Sequence, residues 1–304
     1  MKISLLYRNG SVWPWSMGQG FENALKELGH KVSTFISEKD SGYQIKQYGS
    51  LCEFIKTSCD LFIAIGGGDK YCAFYYDTPA RKELMKLKVP KLAYFMEGME
   101  TRTLTKMKYE ITIPLWTHIL TCDEMDVEDI KSLGCKNVAY IPGWVDEKVF
   151  YPKGLPIKYE FQFIGYIHKH RLPYVNFFGE KLGMVVGRYD SIEDYVNGIN
   201  QTKILIGIPA VMKGFPLRVP ETLACGKVLL HKEPPENFPL ARHLFEDKKQ
   251  IVFYKTMEEA VNLAKYYSEH DEERKEIEKN AREEIIKKHT ILIRAKEFID
   301  YATT

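Results

Sequence analysis

The chain has 304 residues, 45% of them hydrophobic and 28% charged, which suits two ordinary globular domains of ~150 residues and excludes a disordered, collagen-like or coiled-coil chain. Lys plus Arg (43) nearly balance Asp plus Glu (41), leaving a net charge of +2, so no global field exists for gripping a polyanion and any phosphate site must be local. No window approaches the ~18 uninterrupted apolar residues of a membrane span, and the apolar start, with Arg8 close behind Tyr7, is too short for a signal peptide, so a cytoplasmic protein is expected.

Short apolar runs alternate with amphipathic segments through the first half, the rhythm of parallel strands joined by crossover helices. Residues 2–7 form the first predicted strand, and a loop over 9–20 leads into a helix over 21–28 that Gly29 stops. Such a strand-to-helix loop lets backbone N–H groups approach phosphate or sugar oxygens, which makes Gly18 a candidate contact. It is not a G-x-G-x-x-G, so a dinucleotide is only weakly indicated. Trp13 and Trp15 in the same loop either stack on a sugar or base or pack against protein. A strand over 30–36 and a helix over 50–58 follow. A buried strand over 61–65 ends in Gly66-Gly67-Gly68-Asp69, and after a helix over 79–87 a strand over 91–95 runs out towards Glu97 and Gly98. Asp69 and Glu97 therefore lie beyond strand ends, on the side of the sheet where ligands bind. A strand over 118–122, a helix opened by Asp123 and Glu124 and closed by Gly134, and a strand over 138–141 complete the first half.

Pro142, Gly143, Pro152, Gly154 and Pro156 crowd a stretch without period, which places a domain boundary near residues 142–157. The rhythm then restarts. Strands are predicted over 160–164, 184–186, 203–208, 227–230 and 251–254, with helices from Leu172, over 191–200 and over 220–225. Residues 257–302 read as helix, broken near His270-Asp271 and His289-Thr290, with a mixed-sign solvated face. This gives an N-terminal domain over 1–145, a C-terminal domain over 155–288 and a final helix over 289–304. Six cysteines without a CxxC pair or a Cys/His cluster indicate no zinc site and read as reduced, buried small hydrophobes.

The run from Lys213 to Lys227 carries the most information. Pro220 suits a first helical position and Gly226 a helix stop, so a short helix places Glu221 in its first turn beside Arg218. Glu221 there either complements the helix dipole or faces a ligand, and Arg218 either points to solvent or offers its fork of donors to an anion. His168-Lys169-His170-Arg171, after the strand that ends before Gly165, is a second local basic cluster, alternatively a solvated turn.

The string PLRVPETLACGKVLL resembles the donor-binding signature of GT-B glycosyltransferases, specifically the group-1-like branch that includes the CgeB spore-maturation-like proteins. THILTCDE, LGCKNVAYIPGWVDEKVFYP, YEFQFIGYIHKHR and the helical tail resemble other parts of that family in the same order, so the likeness covers roughly residues 115–300. It implies two Rossmann-like domains facing across a cleft, with a C-terminal helix crossing back to the N-terminal domain. It also implies a nucleoside diphosphate sugar as donor substrate, with no further cofactor. Carried over by position, Glu221 would bond the donor ribose, while Arg218, the backbone of Pro216 and Leu217, Gly165, His168, Lys169 and Arg171 would lie near the diphosphate. Lys213 stands where retaining relatives carry an acid eight residues before that glutamate, so the stereochemical outcome does not carry over. The N-terminal domain would supply the acceptor site and, for an inverting reaction, a base, Glu97 or Asp69. No DxD string follows a strand, so a metal-independent transfer to a hydroxyl acceptor is expected. The rivals are a DNA-base glycosyltransferase of phage type, a catalytically silent nucleotide-sugar binder and an epimerase of the same fold.

Overall fold

A computed structural model of the chain describes residues 1–9, 17–38, 42–44, 50–66, 74, 77–95, 106–209 and 215–304. Two units emerge, one of Met1–Pro142 together with Ile291–Thr304, the other of Gly143–Thr290. The break falls among the prolines and glycines that lack a period. The helix Ile291–Thr303 belongs to the first unit although it follows the second in sequence.

Among the described residues the first unit holds seven strands: β1 (Lys2–Asn9), β2 (Lys31–Glu38), β3 (Gly42–Gln44), β4 (Leu61–Ile65), β5 (Lys91–Phe95), β6 (His118–Thr121) and β7 (Asn137–Tyr140). Their order is β3-β2-β1-β4-β5-β6-β7. Every pairing is parallel except the short β2–β3 edge, which is antiparallel. β4 and β5 are buried along their whole length, as expected of central parallel strands covered on both faces, and this is why LFIAI and KLAYF read as continuous apolar runs. On one face Phe35, Phe54, Phe62, Phe74 and Trp116 form an aromatic core. Elsewhere in the unit, Phe298 from the last helix lies 4.8 Å from Phe21 and 5.4 Å from Tyr94 between ring centroids.

The first helix spans Met17–Glu27, four residues earlier than its sequence pattern predicts, because the two glycines in its opening turn hide the period. One of them is Gly18. Its backbone presses so closely on β1 that a Cβ there would come within 2.3 Å of the Tyr7 ring. The loop reading therefore gives way at this residue: Gly18 sits in a helix, packed on a tyrosine whose hydroxyl donates to Glu22 Oε2 at 2.9 Å.

The second unit has β8 (Tyr159–Ile164), β9 (Val185–Gly187), β10 (Thr202–Gly207), β11 (Val228–Lys232) and β12 (Val252–Tyr254), all parallel, in the order β12-β11-β10-β8-β9. Strand order reverses between β8 and β10. Outside the carboxyl ends of these two strands the loops diverge to opposite faces of the sheet, leaving the crevice where open α/β sheets bind ligands. Phe161, Phe163, Ile204, Ile206, Val228, Leu230 and Tyr254 build the core under one face. The helices Met257–Glu269 and Asp271–Lys288 close the unit. The breaks fall at His270 and His289, as the sequence pattern predicts.

Candidate functional site

The switch point of the second sheet gathers two arginines. Arg171 closes a 3₁₀ turn (Lys169–Arg171) after β8 and opens onto the helix Leu172–Leu182. It is 4% exposed, and its guanidinium donates through Nη1 to the Tyr166 carbonyl at 2.7 Å and through Nε to the Pro209 carbonyl at 3.2 Å. It thereby ties the loop after β8 to the loop after β10. Arg218 begins the helix Arg218–Ala224 and donates through Nη1 to the Ile164 carbonyl, the last of β8, at 3.0 Å. Both guanidinium groups lie over the Phe163 ring, 5.5 and 5.0 Å from its centroid.

Gly165 makes this arrangement possible. Its φ of +149° disfavours any L side chain, and a Cβ there would come within 2.8 Å of Arg218 Nη1. Among the described residues no carboxylate lies within salt-bridge distance of either arginine. A guanidinium has five N–H donors. Three remain on Arg171 and four on Arg218 after the bonds above, and none of the nitrogens involved is sealed from solvent without a partner. Burial, and then repulsion from Arg218, pushes Arg171 down to about 10, and burial lowers Arg218 as well. Glu221 offsets part of the Arg218 charge without pairing to it, so the two guanidiniums form a positive site that an anion would relieve.

The basic cluster after β8 divides by exposure. Arg171 points inward, whereas His168, Lys169 and His170 are exposed, and the two histidine rings stack at 5.8 Å. Pro216 and Leu217 immediately precede the short helix. Leu217 adopts helical dihedrals, and its carbonyl accepts from Glu221 N at 3.2 Å. The helix therefore starts at Arg218, two residues before the position expected from Pro220, and includes Val219. Pro220 still falls in the first turn, where its missing N–H leaves no intrahelical bond unmade.

Glu221 is half-buried. The Tyr195 hydroxyl donates to its Oε2 at 2.6 Å. Burial raises the Glu221 carboxyl to about 7, against the opposing pull of the Tyr195 bond and of Arg218. Tyr195 comes from the helix Ile192–Asn200, which Ser191 caps by accepting from Asp194 N at 3.0 Å. Its role has no local signature, because the residue it meets lies 26 positions away. A second unforeseen residue is His231, at the end of β11. Its ring is buried and pushed down to about 4 by desolvation. Nδ1 bonds the Lys232 carbonyl at 2.8 Å, so Nδ1 carries the proton and Nε2 is a buried acceptor without a partner. Phe215 stands 5.2 Å from the ring. A histidine inside an apolar strand reads as core, and only the packing shows the free lone pair.

Asp69, Glu97, Trp13, Trp15 and Lys213 lie outside the described residues. Among the described residues no group of three or more His, Cys, Asp or Glu side chains could hold a metal ion, Cys52, Cys59, Cys122, Cys135 and Cys225 are free thiols, and no helix is long and apolar enough to cross a membrane.

Residues 158–300, just under half of the chain and all of β8 to β12, match the family described as glycosyl transferase-like. An alpha-glucosyltransferase solved with UDP-glucose and DNA containing an abasic site superposes over 100% of both chains at a TM-score of 0.72 and 14% identity. The fold is that of the GT-B glycosyltransferases. Sucrose-phosphate synthase from Thermosynechococcus elongatus shares the GT-B fold at a TM-score of 0.67 and 10% identity, with 100% of both chains covered. Anabaena HepE in complex with UDP does so at 0.64 and 11%, again with 100% of both chains covered. At these identities the likeness establishes the fold alone. No curated protein sequence matches the chain. Within the GT-B fold the family match falls on the half that contains Arg171, Arg218, Glu221 and Tyr195, and together with the fold it supports a GT-B glycosyltransferase.

Proposed function

We propose that this protein transfers a sugar from a nucleoside diphosphate sugar to a hydroxyl acceptor, without a metal, and that it belongs to the group-1-like, CgeB-like branch. The carrying observation is the pair of guanidiniums at the switch point, Arg171 buried and Arg218 half-buried, with most of their donors free and, among the described residues, no carboxylate in salt-bridge range. In the transfer, the bond between the sugar anomeric carbon and the diphosphate oxygen breaks, a bond to the acceptor oxygen forms, and the acceptor proton leaves to a base. Negative charge grows on the diphosphate as it departs. Two preorganised cations stabilise that charge without reorganising. Lys169, exposed on the 3₁₀ turn, and His168 add donors at the rim, and the Pro216–Leu217 backbone lines the approach to the short helix. Glu221 accepts from the ribose hydroxyls. The first unit provides the acceptor site, and Glu97 or Asp69 is its base.

UDP in one GT-B neighbour and UDP-glucose in another make uridine donors the first to try. A panel of nucleotide-sugars should contain one that raises the melting temperature, since a ligand at ~100 times its Kd stabilises by about 2.7 kcal/mol. The same donor should be slowly hydrolysed to free sugar. Binding without any sugar release would instead identify a silent binder, and no response to any donor would end the proposal.

A DNA base as the acceptor is the second reading. It is favoured by the alpha-glucosyltransferase structures solved with DNA, which align at TM-scores of 0.71 and 0.72. Transfer of label from the donor to hydroxymethylated duplex DNA, with none to free sugars, would decide for it.

A further inference from the structure

The Glu221 carboxylate is held on one side only. Its Oε2 accepts the Tyr195 hydroxyl at 2.6 Å, whereas Oε1 has no hydrogen-bond partner among the described residues and is not sealed from solvent. Tyr195 itself is 8% exposed. Its ring meets Phe150 edge-on at 5.9 Å and 82°, and Tyr189 at 6.5 Å. The capped helix beneath it fixes its backbone. A phenol packed in this way is held within reach of Glu221, to which it donates.

We infer that Tyr195 is the positioning residue of the ribose contact: by occupying Oε2 it fixes the carboxylate plane and presents Oε1 to the hydroxyls of a ribonucleotide. This rests on the reading of Glu221 as the ribose ligand. A half-buried carboxylate without the phenol would rotate about its last torsion and hold its proton to higher pH, losing acceptor strength in both ways. The Tyr195 phenol is raised well above its ordinary range by burial and by Glu221, so it donates throughout the physiological range. The other charged and titratable groups facing Glu221 are few. Arg218 stands on the same helix, and the Cys225 thiol at its end is pushed up to about 12 and stays neutral. Arg282, from the helix Asp271–Lys288, bonds the Ala224 carbonyl at the far end. None of these contributes a hydrogen bond to the carboxylate.

Tyr195→Phe removes one oxygen and keeps the ring, and Glu221→Gln supplies the reference. The binding of UDP, GDP and ADP and of their 2′-deoxy counterparts is measured by calorimetry at pH 6, 7 and 8, with melting curves to confirm folding. The native protein should prefer the ribonucleotide of its best pair roughly tenfold. In Tyr195→Phe that preference should largely vanish, and the pH at which it appears should move upwards. Packing alone would move neither quantity. If Glu221→Gln loses the preference while Tyr195→Phe keeps it at the native pH midpoint, the positioning role is overturned and the ribose contact stands. If Glu221→Gln keeps the preference, or none of the three nucleotides binds the native protein, the ribose reading fails and the inference falls with it.

Discussion

Gly165 and Arg218 show how one missing side chain creates a charge site. With no Cβ at residue 165, the guanidinium can lie against the last carbonyl of β8. Gly165→Ala should both strain the backbone and displace Arg218. Nucleoside diphosphate binding is expected to weaken at least tenfold, by isothermal titration, with the far-ultraviolet spectrum unchanged. Two neighbouring titrations carry opposite signs. Glu221 is raised from its ordinary carboxyl value to about 7, so the folded state binds its proton more tightly and this group costs stability as pH rises from about 4.5 through 7. His231 is lowered from 6.5 to about 4, so its contribution is complete above 6.5 and is lost as pH falls through that window, by roughly 3 kcal/mol. Stability curves of His231→Asn should therefore be flatter than native ones between pH 6.5 and 4. An equal acid slope in the variant would show that His231 is not the group responsible. The sequence made Glu221 and Arg218 legible because they share one short motif. Tyr195 and His231 were not, since one meets a residue 26 positions away and the other packs against Phe215, 16 positions before it.

At the scale of elements, the apolar runs 61–65 and 91–95 coincide with β4 and β5 because central parallel strands are covered on both faces. Elements with little burial or length escaped the reading. β3 is three residues at a sheet edge, and Pro239–Arg242 is a single turn, too short to show a period. The first helix was misplaced for a different reason. Met-Gly-Gln-Gly has the composition of a loop, yet its glycines serve the close approach to β1. Gly18→Ala should accordingly destabilise by about 1–3 kcal/mol, through overpacking on a Tyr7 ring held at its far end by Glu22. A melting temperature equal to the native one would mean that the helix can ride outwards without cost.

For the molecule as a whole, the described part of the site falls inside Gly143–Thr290, the second unit. The division at Pro142 and Gly143 falls within the proline- and glycine-crowded stretch, and the one at Thr290 and Ile291 falls at the break before the final helix. Which unit that helix joins is decided by Phe298, fully buried among residues of the first unit. Phe298→Ala should cost that unit about 3–5 kcal/mol. Calorimetric scans should show this loss while nucleotide affinity stays native, and a parallel loss of affinity would contradict a site contained in the second unit. The most direct test of the nucleotide-sugar account is titration of the best-stabilising nucleoside diphosphate into the native protein and into Glu221→Ala and Arg218→Ala. The account predicts at least tenfold weaker binding in each variant with the fold intact. Unchanged affinity in both would contradict it.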